Sequence, residues 1–224
     1  MQIHPDTFDF LQELKKNNTR EWFAENKSRY DAIYHDWKAV MEEIGEGMRA
    51  TDEIEKVKVF RIYRDIRFSK DKTPFKTNMA GSLVRSGADR RGGLYVHIQK
   101  DRTFIGVGFW NPNKEDLQRI REEIDLDSEE FREHIARPEF ADTWGPLEGD
   151  QLLTAPRNYD IDHEDIDLLR YKSFTFMQSI SNKKAQSKQF VPHVVAEFNK
   201  ALPWLDYMTA VLTSNSNGES LLDK

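Results

Sequence analysis

Three arginines recur at every third position of one short stretch, Arg61, Arg64 and Arg67, and Lys70, Lys72 and Lys76 follow them. Asp65 and Asp71 lie among these cations. A guanidinium can hold a phosphate or carboxylate through two parallel hydrogen bonds, and an ammonium adds a compact point charge. Lysines on a loop with free backbone N–H groups can cradle an anion. Residues 56–76 carry eight Lys/Arg and two Asp, a local charge of 8 − 2 = +6; the whole chain is −6, so the remainder carries −6 − 6 = −12. The expectation is a basic pocket lined by Arg61, Arg64, Arg67, Lys70, Lys72 and Lys76, built into an otherwise acidic protein. It is not a Walker loop, because the glycine spacing and the GK[ST] end are missing.

Three readings of this stretch stay open. The leading one is a binding module for a phosphate- or carboxylate-bearing ligand, with a nucleotide or nucleic acid among the candidates. Interleaved aromatics, Phe60, Tyr63, Phe68 and Phe75, could stack bases beside a cationic groove. Phe60 and Phe68 suit a core-facing side better, which leaves Tyr63 and Phe75. The second reading is an enzyme of unspecified reaction using the same pocket, with Asp65, Asp71 or His97 as its candidate catalytic groups. Carboxylates among cations have lowered pKa values, which favours an electrostatic or metal-ligand role over proton donation. The third is structural: Arg64, Asp65, Arg67 and Asp71 pair with one another to fix a loop. The histidines, His4, His35, His97, His134, His163 and His193, form no metal-ligand pair, so no metal site is expected. No motif names a cofactor, and no GxSxG elbow marks a serine hydrolase.

Elements must position these groups. Residues 56–68 alternate apolar and polar with a one-residue slip between Val59 and Phe60, as a bulged strand would. A helical alternative puts Val59, Ile62, Tyr63 and Ile66 on one face. On the strand, Arg64 points to the apolar side and so demands a partner. Residues 69–74 read as a loop held by Pro74. Before it, residues 6–16 form a helix. Asn18 and Glu21 have the form of a capping box opening one long helix. Its stripe runs through Phe23, Tyr30, Ile33, Trp37, Met41 and Ile44 to an end at Gly45 and Gly47. Behind the basic stretch, residues 79–85, 94–98 and 104–109 read as strands. Gly106 and Gly108 clear space there for a packed neighbour. Asn111 and Pro112 look like the N-cap and first residue of a helix. Shorter helices follow, then a strand over 172–180, then a helical region from 187 interrupted by Pro203. Helices at both ends with strands between them predict an α+β fold. Its central, mainly antiparallel sheet would be packed by the long N-terminal helix and the C-terminal helices. It is expected to be a single domain over residues 1–213, with a frayed polar tail over 214–224.

Composition sets the remaining bounds. Aromatics at 12% of 224 residues are enough to fill a core. There is no cysteine, which removes disulfides, thiolate metal sites and cysteine nucleophiles, and fits a reducing compartment. No secretory leader and no run of about 18 apolar residues is visible, so a soluble, cytoplasmic protein without a membrane partner is expected. A pI near 5.6 argues against global nucleic-acid binding and leaves a local patch open. Nothing here sets the oligomeric state.

The runs FDFLQELKKNNTREWFAENKSRY, FRIYRDIRFSKDKTPFKTN and FIGVGFWNP, with Leu147-Glu148-Gly149, Pro156-Arg157-Asn158-Tyr159 and Leu168-Leu169-Arg170-Tyr171-Lys172, resemble the bacterial conserved-hypothetical family called domain of unknown function 2461. The resemblance spans residues 7–212. It implies an intracellular single-domain protein and carries no activity with it. The chain has Asn158 where the family more often has glycine; asparagine is the next-best residue for a left-handed backbone.

Overall fold

A computed structural model describes residues 1–215 and 218–222 of the chain. The fold is α+β, with helices α1 (Thr7–Lys16), α2 (Arg20–Glu25), α3 (Lys27–Met48), α4 (Lys114–Leu126), α5 (Ser128–Ala136), α6 (Pro138–Trp144), α7 (Ile166–Leu169), α8 (Asn182–Ala185) and α9 (Phe190–Thr213). Strands β1 (Ile54–Val59), β2 (Met79–Arg85), β3 (Gly93–Ile98), β4 (Thr103–Phe109) and β5 (Phe174–Ile180) form one antiparallel sheet in the order β1-β2-β3-β4-β5. The chain divides into two compact units: Met1–Leu83 with Tyr95–Ile105 and Ser179–Ala196, and Val84–Leu94 with Gly106–Gln178 and Glu197–Lys224. No described helix is long and apolar enough to cross a membrane.

In the first unit, α3 buries the expected stripe, Tyr30, Ile33, Trp37, Val40, Met41, Ile44 and Met48. Trp37 Nε1 donates to the Ala80 carbonyl of β2 at 3.4 Å. The predicted single long helix is two. Thr19, not Asn18, is the N-cap of α2, accepting from Trp22 N. Asn26 then ends α2, its side-chain amide donating to Trp22 O at 2.9 Å, the local competition by which asparagine interrupts helices. Gly45 and Gly47 do not end α3. A Cβ at Gly45 would stand 2.5 Å from Val57 Cγ2, and one at Gly47 2.7 Å from Val195 Cγ2. Both glycines serve close packing. Arg29 of α3 holds the carboxylates of Asp6 and Glu13.

In the second unit, two tryptophans and several phenylalanines lie in the core. Trp204 of α9 packs edge-on against Phe109 and Phe176, and Trp144 of α6 stacks on Phe198 at 6.2 Å. Pro203 lies inside α9 without breaking it; this packing on both sides of the proline offsets its missing hydrogen bond. Gly106 and Gly108 do clear space for a neighbour: a Cβ at either would press on the β5 backbone at Phe176 O or Phe174 O. The N-cap of α4 is Asn113, which accepts from Asp116 N, rather than Asn111. Asn111 instead takes a left-handed φ of 48°, and Asn158 does likewise at 76°, as the asparagine-for-glycine exchange expected. The tail expectation over 214–224 falls partly on 216–217 and 223–224, which lie outside the described residues. Nearby, Ser214 bridges Ser220 and Leu221 N donates to Thr213 O.

Candidate functional site

The basic stretch is not one strand. Regular pairing ends at Val59. Phe60 N still reaches Ala80 O at 3.0 Å, and the chain then folds back on itself. Lys76 N donates to Ile62 O at 2.7 Å and Arg64 N to Pro74 O at 2.9 Å, with Tyr63 bridging Phe75. Residues 65–73 are therefore a closed loop on a short ribbon, and neither the long strand nor the helical alternative forms. Alternation misled because apolar residue types in the stretch do different jobs. Ile62 and Phe75 are buried, while Phe68 is 95% exposed. Phe75 stacks on Phe23 at 4.1 Å and is core, so of Tyr63 and Phe75 only Tyr63 remains on the surface, and Phe68, expected on the core-facing side, is exposed instead. Asn18, freed from capping, accepts from Phe75 N at 3.1 Å and donates to Phe75 O at 3.0 Å, tying the ribbon to the turn between α1 and α2.

Arg64 finds its partners within this loop. Its Nη1 donates to Asp71 Oδ2 at 2.5 Å, to Thr73 O at 3.2 Å and to Thr73 Oγ1, while Nη2 reaches Ser69 Oγ at 3.4 Å. Asp71 also accepts from Thr73 N at 2.9 Å. That backbone donor, then Arg64, holds its carboxyl at a pKa of about 2. Arg67 grips Asp65 through two nitrogens, at 3.0 and 2.6 Å, and lowers that carboxyl too. Lys72 Nζ donates to Ile66 O at 3.0 Å, and Lys70 is exposed. Much of the charge anomaly is thus a loop folded on its own carboxylates and carbonyls.

Two cations of the six behave differently. Lys76 is half-buried; desolvation first, and the neighbouring Arg61 second, push its pKa down. Its ammonium sits 5.7 Å from the Phe60 ring centre. Among the described residues neither Lys76 nor Arg61 has a carboxylate partner. Lys76 lines a cleft of about 400 Å³ with Lys15, Asn18, Arg64, Asp71, Thr73 and Asn78. On the far side of Arg64 a second hollow of about 370 Å³ runs between Arg20, Phe23, Lys27, Tyr63 and Phe75.

Asn78 leads from this cleft to a row of rings on the half-exposed face of the sheet. Phe60, Tyr95 and Phe104 follow one another with centres 6.3 and 5.8 Å apart, and His97 stacks on Phe104 at 4.6 Å and 14°. Lys58 Nζ stands 5.3 Å from the Phe60 ring. His97 Nε2 faces Gln99 Oε1 at 3.2 Å, and Nδ1 faces Tyr95 Oη at 3.2 Å and Asn78 Nδ2 at 3.5 Å. One tautomer satisfies all three: Nε2 carries the proton to Gln99, and Nδ1 accepts. Burial pushes the His97 pKa down, so the ring is neutral with its lone pair engaged.

Asp65 and Asp71 are ionised at neutral pH and engaged by arginine, and His97 is spoken for on both nitrogens. Among the described residues no three His, Cys, Asp or Glu side chains converge to hold a metal. Sequence reasoning missed Lys15, Asn18, Asn78, Tyr95 and Phe104. The alternation that places Tyr95 and His97 on one strand face was readable; that Phe60, just past β1, and Phe104 of β4 meet Tyr95 there was not.

The family model described as "Conserved hypothetical protein (DUF2461)" matches residues 6–207. No curated protein and no solved structure matches the chain.

Proposed function

The chain belongs to the DUF2461 family of conserved hypothetical proteins, and we propose that it is a binding module for a phosphate-bearing ligand with an aromatic base. Lys76 and Arg61 would hold the phosphate, and the Tyr95–Phe104–Phe60 row would stack the base. The observation that carries this reading is the half-buried Lys76, whose pKa is lowered by desolvation first and by the like-charged Arg61 second. A desolvated cation beside a like charge costs free energy, and an anion relieves it. Aromatic faces next to cations suit nucleotides and single-stranded nucleic acid alike, since every base has a stacking face. For Arg64 and Arg67 the structural reading is favoured, because each is engaged by its own aspartate. The lack of cysteine supports a cytoplasmic setting.

Calorimetric titration with inorganic phosphate, adenosine 5′-monophosphate and a short single-stranded oligonucleotide tests this. The nucleotide should bind at least tenfold more tightly than phosphate, since stacking contributes about 1–3 kcal/mol per base. Lys76→Gln should weaken nucleotide and phosphate about tenfold or more, the worth of a charge-assisted hydrogen bond at about 1.5–3 kcal/mol. Tyr95→Leu should weaken the nucleotide only. If none of the three binds, or if Lys76→Gln leaves every affinity unchanged, the reading is wrong.

A further inference from the structure

The row of rings in the first unit is longer than one base. Phe60, Tyr95, Phe104 and His97 are all half-exposed and follow one another in steps of 6.3, 5.8 and 4.6 Å between ring centres. Cross-strand pairing by itself accounts for rings that meet on a sheet face. It does not account for the charges around them. Lys58 and Lys76 stand 5.3 and 5.7 Å from the Phe60 ring centre, with Arg61 next to Lys76. At the other end of the row Arg102 is exposed in the connection between β3 and β4. After burial, Arg102 is the charge that lowers the His97 pKa, as Arg61 is for Lys76. Burial alone raises that of Tyr95. No carboxylate shifts any of these three groups, in a chain whose net charge is −6. The row is therefore cationic at both ends.

We infer that the ligand of this face is single-stranded nucleic acid several nucleotides long, its bases laid along the Phe60–Tyr95–Phe104–His97 row and its phosphates held by Lys58, Arg61 and Lys76 at one end and by Arg102 at the other. The inference rests on the proposed phosphate-and-base site and narrows its ligand to a strand. A mononucleotide carries phosphate on one side of its base and has no use for cations at both ends of four rings. A strand carries a phosphate between every two bases, and successive bases can stack on successive rings beside a cationic groove. A duplex fits less well, because its base faces are covered by one another. Both His97 nitrogens are engaged within the protein, so hydrogen-bond reading of base edges is sparse and sequence preference is modest.

Fluorescence anisotropy with labelled oligothymidylates and oligouridylates of increasing length, and adenosine 5′-monophosphate as competitor, tests it. Affinity should rise about a hundredfold from the dinucleotide to a plateau within about 4–16 nucleotides, the range of single-strand sites, since each further stacked base is worth about fivefold or more. Four phosphate contacts, at a slope of about −0.7 each, should weaken the strand about fiftyfold between roughly 50 and 200 mM salt. Arg102→Gln, at an exposed position where folding is not at stake, should weaken the strand several-fold, lessen the salt slope by about 0.7 and leave the mononucleotide unchanged. Whichever sugar series binds more tightly identifies RNA or DNA as the source, and either supports the proposal. Mononucleotide binding with no gain on lengthening the strand overturns the strand and leaves the nucleotide site standing. So does strand affinity unchanged in Arg102→Gln, or equal affinity for a duplex of the same length. Binding of neither mononucleotide nor strand removes both readings.

Discussion

Replacing Arg64 by alanine separates a loop fastener from a ligand-binding residue. Arg64 donates to Asp71, to two oxygens of Thr73 and, at longer range, to Ser69. Its side chain is 24% exposed and that of Asp71 60%, so solvent screens the ion pair and most of the cost lies in the other bonds. The two bonds to Thr73 contribute about 1 kcal/mol each. Arg64→Ala should therefore cost about 2–3 kcal/mol, which for a chain of this size lowers the melting temperature by roughly 5–10 °C. Arg64→Lys should lose most of the same stability, because an ammonium cannot reproduce the fork. Circular dichroism melts and urea titrations measure the cost, and hydrogen exchange at the Arg64 and Lys76 amides, which pair with Pro74 and Ile62, shows whether the ribbon opens. Stability within about 0.5 kcal/mol of the native chain, together with lost phosphate binding, would refute the reasoning and return Arg64 to the ligand.

Two further outcomes follow from the geometry. The Asp71 carboxyl, held near pKa 2 by Thr73 N–H and Arg64, is depressed below the value of about 3.9 in an unfolded chain. Its stabilising effect is therefore complete above pH about 4 and is lost as the pH falls through about 2. In an NMR titration its midpoint should rise toward 4 in Arg64→Ala, and a native midpoint already near 4 would contradict the loop network. Gly108→Ala should cost about 4 kcal/mol or prevent folding, read by urea denaturation. Its φ is 134°, and a Cβ there would strike Phe174 O and Thr175 Cα, backbone atoms that cannot rotate away.

Much of this protein follows from local pattern. The α3 stripe, the Met79–Arg85 strand and the α+β class rest on periodicity, which acts over a few residues and is written in their order. The acidic chain with one basic stretch is likewise a property of composition, and so is the membership that its motifs announce. What the basic stretch does with its charges was decided elsewhere. Alternation from Phe60 to Phe68 promised a strand, but strand pairing needs a neighbour with matching register. Phe75, inserted against Phe23 and tied by Asn18, folds the chain into a ribbon instead. That fold turns Arg64 and Arg67 onto Asp71 and Asp65 and leaves Lys76 and Arg61 beside each other. The same holds for the ring row of Phe60, Tyr95 and Phe104, whose members come from elements far apart in the chain. Charge and amphipathicity are local properties of a sequence. Which charge meets a counter-charge depends on contacts that only the tertiary structure makes.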